Sequence, residues 1–214
     1  MATSTTWGQT EQRRADILDA ARSQLSEGGL AALNMREVAR GAGVSPGTVY
    51  TYFRSKEELF ATLYAQRIDE FRAEIEPACA SARTPEQLFV TIATAYLDVY
   101  RVFGRELNIW AVLLAENPTA EDIAKPLIAA AERTIAAVAG TMARIANARG
   151  GTVTSEAAAR LALPFLWATI TGLADHVTSG RRRLHSSGWR ELVEFTATTV
   201  VAGLDAGNSR TPQE

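Results

Sequence analysis

The chain is short of the residues that catalysis and metal binding most often require. A single cysteine, Cys79, stands in 214 residues, so no intramolecular disulfide can form. Two histidines, His176 and His185, do not supply the clustered soft ligands of a metal site, and neither has a readable nucleophile partner. The G-x-S-x-G elbow, the phosphate loop and H-E-x-x-H are all absent, which argues against an enzyme and leaves no cofactor or metal to expect. No apolar run approaches the roughly 18 residues of a membrane span, and none follows the N-terminal MATSTTWGQT as a signal peptide would require. A cytoplasmic protein with no membrane partner is the expectation. An excess of one charge is also missing: 22 basic and 24 acidic residues leave a net charge of -2. The molecule as a whole is no polycation, so any nucleic-acid contact must come from a local patch.

What is present is helix, almost without interruption. Hydrophobic residues make up 47% of the chain, enough for a substantial core, and no strand alternation, internal repeat or low-complexity segment breaks the helical spacing. Ile17, Leu18, Ala21 and Leu25 recur along a first helix from Glu11 to Gln24, with Gly28-Gly29 as its stop and frayed residues before it. Asn34 caps a second helix over Met35 to Ala42, Gly43 breaks it, and Ser45-Pro46 starts a third as N-cap and first-turn proline. Ser55 and Glu58 read as a reciprocal capping box for a fourth helix, which Pro77 should end at about Glu76. Beyond it, stops at Gly104, Pro118, Gly150-Gly151 and Ser186-Ser187-Gly188 leave room for five more helices. These run from Thr84 to Phe103, Arg105 to Glu116, Thr119 to Arg149, Ser155 to Thr178 and Trp189 to Ala206. The fold class expected is all-α with about nine helices.

The stretch GVSPGTVYTYF, Gly43 to Phe53, is unusual for a surface helix. Two short helices joined by a tight glycine turn define a helix-turn-helix, whose second member enters a DNA major groove. Val38, Ala42, Val44 and Val49 fall where these helices face each other and the first helix; Ala39 permits close approach and Gly43 can take positive φ. Pro46, Gly47, Thr48, Thr51 and Tyr52 are left facing outward, small groups for the most part, with Thr48 able to hydrogen-bond a base or phosphate and offer its methyl to thymine. Between Asn34 and Lys56 the charges are Arg36, Arg40, Arg54 and Lys56 against Glu37 alone. Lys56 opposes the helix dipole unless an anion is bound near it, although a solvated lysine is the plainer alternative, and Tyr50 reads equally as core or as phosphate ligand.

The helix-one pattern ILDAARSQLSEGGLAALNM, followed by REVARGAGVSPGTVYTYFRSKEELF, resembles the DNA-binding domain of the TetR family of bacterial transcriptional regulators. The resemblance covers about a quarter of the chain, from about Arg13 to Leu63, and departs from the family only in placing Asn34 where a threonine is common. It implies DNA contacts by Thr48, Tyr52 and Lys56, with Tyr50 on phosphate; Arg36, from the local positive charge, and Ser45, Pro46 and Gly47, from the start of the outward face, complete the expected DNA-binding set. It also implies a helix-turn-helix domain over residues 1–55, a connecting helix from 55 to about 76, and a ligand-binding and dimerisation domain over 77–214. The partners implied are a double-stranded DNA operator, a second copy of the chain and a small-molecule effector of unknown identity.

The C-terminal part speaks less clearly. Tyr96, Tyr100, Phe103, Trp110, Phe165 and Trp167 are candidates to line an apolar effector pocket, with Asn108, Asp175 and His176 to orient a ligand, although an aromatic stripe at helical spacing is also what a core requires. Leu161, Leu166, Ile170, Leu192, Phe195 and Val200 lie on the two last helices, too apolar to face water on every side, and are expected at a homodimer interface. The run Arg181-Arg182-Arg183 reads as a solvated loop before it reads as an anion site. The function expected is a ligand-responsive, sequence-specific repressor released from a palindromic operator by a hydrophobic or aromatic effector. An activator or a ligand-independent DNA-binding protein of the same fold is the alternative.

Overall fold

A computed structural model of the protein describes residues 3–104, 118–148, 160, 163–184 and 186–208. Among them eight α-helices follow one another: α1 Thr3–Ala32, α2 Met35–Gly41, α3 Pro46–Tyr52, α4 Lys56–Ser81, α5 Pro85–Phe103, α6 Pro118–Ala148, α7 Leu163–Thr178 and α8 Trp189–Asn208. A 3-10 turn, Gly180–Leu184, precedes α8. The all-α expectation holds. The helix expected over Arg105 to Glu116 and the start of the one expected at Ser155 lie outside the described residues. No described helix is long and apolar enough to cross a membrane.

Two compact units divide the chain, one of residues 1–67 with 105–130 and the other of 68–104 with 131–214, so that α4 and α6 each contribute to both. In the first, Ile17, Ala21 and Leu25 of α1 are buried together with Val38 of α2, Val49 of α3 and Leu59, Phe60 and Leu63 of α4. Ala20 of α1 approaches so closely that a Cβ on Gly41 would stand 3.1 Å from its own. Phe53, which ends α3, is buried beneath the guanidinium of Arg14, 5.3 Å from the ring centroid. In the second unit α5 packs against α7 and α8, burying Tyr96, Val99, Ala174 and Val193. Asp69 of α4 and Arg133 of α6 join in a two-pronged ion pair, Nε to Oδ1 at 3.2 Å and Nη2 to Oδ2 at 2.7 Å.

Two boundaries differ from expectation. Helix α1 begins at Thr3 and not near Glu11, no proline standing in the stretch between. Its glycines act as expected: Gly28 and Gly29 leave helical geometry, Gly29 with φ of 64°. Helix α4 runs through Pro77 to Ser81. Proline forfeits only its own N–H and crowds one carbonyl a turn earlier, so later bonds such as Ala82 N–H to Ala78 at 2.9 Å still form. The guanidinium of Arg144 donates to the carbonyls of Cys79 at 2.7 Å and Ala82 at 3.2 Å, which satisfies this C-terminus from α6.

Candidate nucleic-acid interface

The turn between α2 and α3 is built from local backbone chemistry. Asn34 caps α2, its Oδ1 accepting from the N–H of Arg36 at 2.9 Å and of Glu37 at 3.3 Å. At the other end Gly43 adopts φ of 67°, its N–H reaching the Arg40 carbonyl and that of Val44 the Ala39 carbonyl, the paired bonds of a Schellman motif. One residue later Ser45 caps α3 by accepting from the Thr48 N–H at 3.1 Å. Its hydroxyl also lies 2.8 Å from that of Thr48. Each hydroxyl can donate once and accept twice, so this pair orders Thr48 and leaves capacity toward the outside.

Position by position, Arg36, Ser45, Pro46, Gly47 and Tyr50 are exposed, while Thr48, Tyr52 and Lys56 are half-buried. Tyr50 is 52% exposed, which removes it from the core and leaves the outward reading. Thr51, also exposed, turns its hydroxyl back to the Gly47 carbonyl at 3.1 Å. The outward face of α3 thus carries small and polar groups and no carboxylate.

Charge around this face is arranged more tightly than the sequence suggests. Arg40 is engaged by Glu37 one turn away. The expected capping box is only half made: Ser55 accepts from the Glu58 N–H at 3.2 Å, but the Glu58 carboxylate passes over Ser55 and takes the Arg54 N–H at 2.7 Å and Arg54 Nε at 3.1 Å. The hydrogen bond and charge of Glu58 raise the Arg54 pKa, and Asp122 on α6 adds in the same direction. Arg36 and Lys56 have no ion pair among the described residues. Reading for residue types alone missed the Arg54–Glu58 link; the signal was an arginine directly before the capping serine and a glutamate four residues after that arginine.

The residues expected to bind an effector are only partly brought together. Tyr96 and Tyr100 of α5 are buried, ring centroids 6.2 Å apart; Trp167 of α7, itself 39% exposed, lies 4.7 Å from Tyr96, and Phe71 of α4 meets Tyr96 at 5.8 Å. Phe103 is buried near the end of α5 and His176 is half-buried on α7. Phe165, two residues before Trp167, is 51% exposed and has no ring contact with this group among the described residues. Tyr100 donates to Asp175 at 3.3 Å, and Asp175 also holds Arg181, so the first arginine of the 181–183 run is tied down and not simply solvated. Trp110 and Asn108 lie outside the described residues, as do Leu161 and His185.

Of the expected interface residues, Phe195 is the most exposed, and Leu166, Leu192 and Val200 are half-buried. Ile170 is buried in the chain's own core and is withdrawn from that surface.

Comparison with known proteins agrees with this architecture. The sequence family described as bacterial regulatory proteins, tetR family, matches residues 17–63. The transcriptional regulator BetI of Rhizobium meliloti is 27% identical over 126 residues, which cover 59% of this chain and 62% of that protein. The transcriptional repressor KstR of Mycolicibacterium smegmatis is 38% identical over 76 residues, 36% of this chain and 37% of the relative. These matches span less than two thirds of either relative. Similarity of fold extends further. A protein of unknown function from Rhodococcus sp. RHA1 superposes with a TM-score of 0.67 at 26% identity, over 90% of this chain and 94% of that one. The regulator FadR of Bacillus subtilis, solved in complex with stearoyl-CoA, gives 0.57 at 18% identity over 91% and 98%. With residues 17–63 matched to the family described as bacterial regulatory proteins, tetR family, and the fold shared along most of its length with solved proteins, the chain carries a TetR-family DNA-binding domain.

Proposed function

We propose that the protein is a sequence-specific DNA-binding transcriptional regulator, acting as a homodimer and most simply as a repressor on a palindromic operator. The observation that carries this reading is the outward face of α3. It is free of carboxylates, it begins with the Ser45–Thr48 hydroxyl pair, and it has Gly47 where a side chain would hold the backbone off a groove floor. Thr48 and Tyr52 contact bases or their neighbouring phosphates, while Arg36, Tyr50 and Lys56 hold the phosphate backbone and carry no sequence information. Ser45 and Pro46 fix where the helix begins. The test is retention of genomic fragments by the purified protein at physiological salt. Recovery of a few discrete fragments supports the reading, and recovery of all fragments alike, or of none, counts against it.

The second half of the proposal is release by a small apolar effector. The cluster of Tyr96, Tyr100, Phe103 and Trp167, with Asp175 and His176 on the same helix as the tryptophan, favours a hydrophobic or aromatic molecule over a sugar. A fatty acyl ligand in a protein of this fold is consistent with that class. An effector lowers DNA affinity only by binding better to a dimer whose recognition helices are wrongly spaced, and α4, which contributes to both units, is the natural connector. One observation favours a ligand-independent regulator instead: Tyr96 is fully buried and packs tilted against Trp167 and edge-on against Phe71 and Tyr100, as core aromatics do. Native mass spectrometry of the purified dimer, followed by operator-release assays with any bound molecule, separates the two.

A further inference from the structure

Arg54 lies between the recognition helix and α4, outside the set of DNA contacts assigned above, and its geometry gives it a task. One oxygen of Glu58 accepts both the Arg54 backbone N–H, at 2.7 Å, and Nε of its guanidinium, at 3.1 Å. That chelate fixes the chain and the side chain together. Because Nε is the atom engaged, both terminal NH2 groups, with four N–H donors, are left for another acceptor. The Arg54 side chain is 69% exposed and that of Glu58 only 23%, so the carboxylate is the inner group and the guanidinium the outer one. No further hydrogen bond from Arg54 reaches a described residue. An ion pair four residues apart whose arginine is mostly exposed contributes little to stability, so its geometry is better explained by orientation. Arginine is the side chain whose planar fork suits a phosphate, and holding it in advance removes part of the entropy lost on binding.

Building on the DNA-binding reading, we propose that Arg54 clamps a backbone phosphate of the bound duplex and that Glu58 is the positioning residue that presents it. The phosphate accepts from the two terminal nitrogens while Glu58 keeps Nε. The contact adds affinity and register, with no base preference.

The proposal makes a prediction of unusual sign. By charge alone, removing Glu58 from beside a phosphate strengthens binding; by positioning, it weakens binding. The experiment measures fluorescence anisotropy of a labelled random-sequence duplex against salt for the full-length protein, with thermal melts of each variant to confirm the fold. Arg54→Ala is expected to bind on the order of 5- to 10-fold more weakly at physiological salt, with the salt slope shallower by about 0.9 per bound protomer. Arg54→Lys, which keeps the charge without the fork, falls between. Glu58→Ala weakens binding several-fold, whereas Glu58→Gln, which can still accept both N–H groups, stays near wild type. An unchanged slope for Arg54→Ala, or tighter binding by Glu58→Ala, overturns the clamp while leaving the DNA-binding reading intact. A wild-type protein that binds no duplex at low salt overturns both.

Discussion

Gln24 of α1 accepts the backbone N–H of Asn34 through its side-chain oxygen at 2.9 Å, while Asn34 in turn caps α2. A residue of the first helix thereby fixes the point at which the helix-turn-helix begins. Asn34→Ala removes the cap and should cost about 1 kcal/mol of stability, and Asn34→Ser should restore most of it. Chemical denaturation of the full chain measures both.

Gly43 should be the least replaceable residue of the turn. At φ of 67° a Cβ meets no neighbouring atom, so the penalty is purely one of backbone conformation. Gly43→Ala should destabilise by roughly 1–2 kcal/mol and Gly43→Asn by less, because asparagine visits the left-handed region more readily. Equal losses for the two would contradict this account.

How far the sequence could be read depends on how local each feature is. Asn34, Ser45 and Thr84 cap their helices as their residue types and spacing imply, and Gly43 takes the φ that only a break there would need. Each of these choices is settled within four residues. Pro77 misleads because a proline tells of one lost bond and not of the contacts that carry a helix past it. The spacing of Ser55 and Glu58 implies a closed box, yet Arg54, one residue before the serine, offers a charged donor that a capping rule does not weigh. Phe165 and Ile170 show the harder limit. Both are apolar residues of α7, and periodicity alone cannot say which face meets α5, so one is exposed and the other buried.

Lys56 and Thr48 should fail differently. Lys56→Ala should weaken binding to all duplexes alike and flatten the salt dependence, because phosphates carry no base identity. Thr48→Ala should change which sequences are preferred, by about 1–3 kcal/mol at the position it contacts. Parallel titrations against matched and mismatched duplexes distinguish the two.

The Cys79 thiol is buried, and desolvation is the main cause of its raised pKa, opposed by a hydrogen bond with Thr141 and the charge of Arg144. The unfolded thiol therefore ionises first, so above its pKa of about 8.5 the folded state holds a proton that the unfolded state has released. This contribution makes stability fall as pH rises from there toward the folded pKa. Cys79→Ala should remove that part of the decline, as read from denaturation midpoints at pH 7 and pH 9.5.

Phe195 should support self-association. At 69% exposed it is a large apolar side chain with no reason to face water in a monomer. Phe195→Glu should shift the dimer toward monomer by light scattering and reduce operator affinity in parallel, since two half-sites then lose their linkage. Full operator affinity in a monomeric variant would refute the dimer.

The central claim is that α3 reads a DNA sequence. Selection of duplexes from a random library by the wild-type protein, with anisotropy on the enriched sequence and a scrambled version of it, tests this most directly. The account predicts one enriched motif of two inverted half-sites, centred about one helical turn or slightly more apart, bound on the order of 10³-fold or more tightly than the scramble. Enrichment of no motif, or equal affinity for the two duplexes, would contradict it.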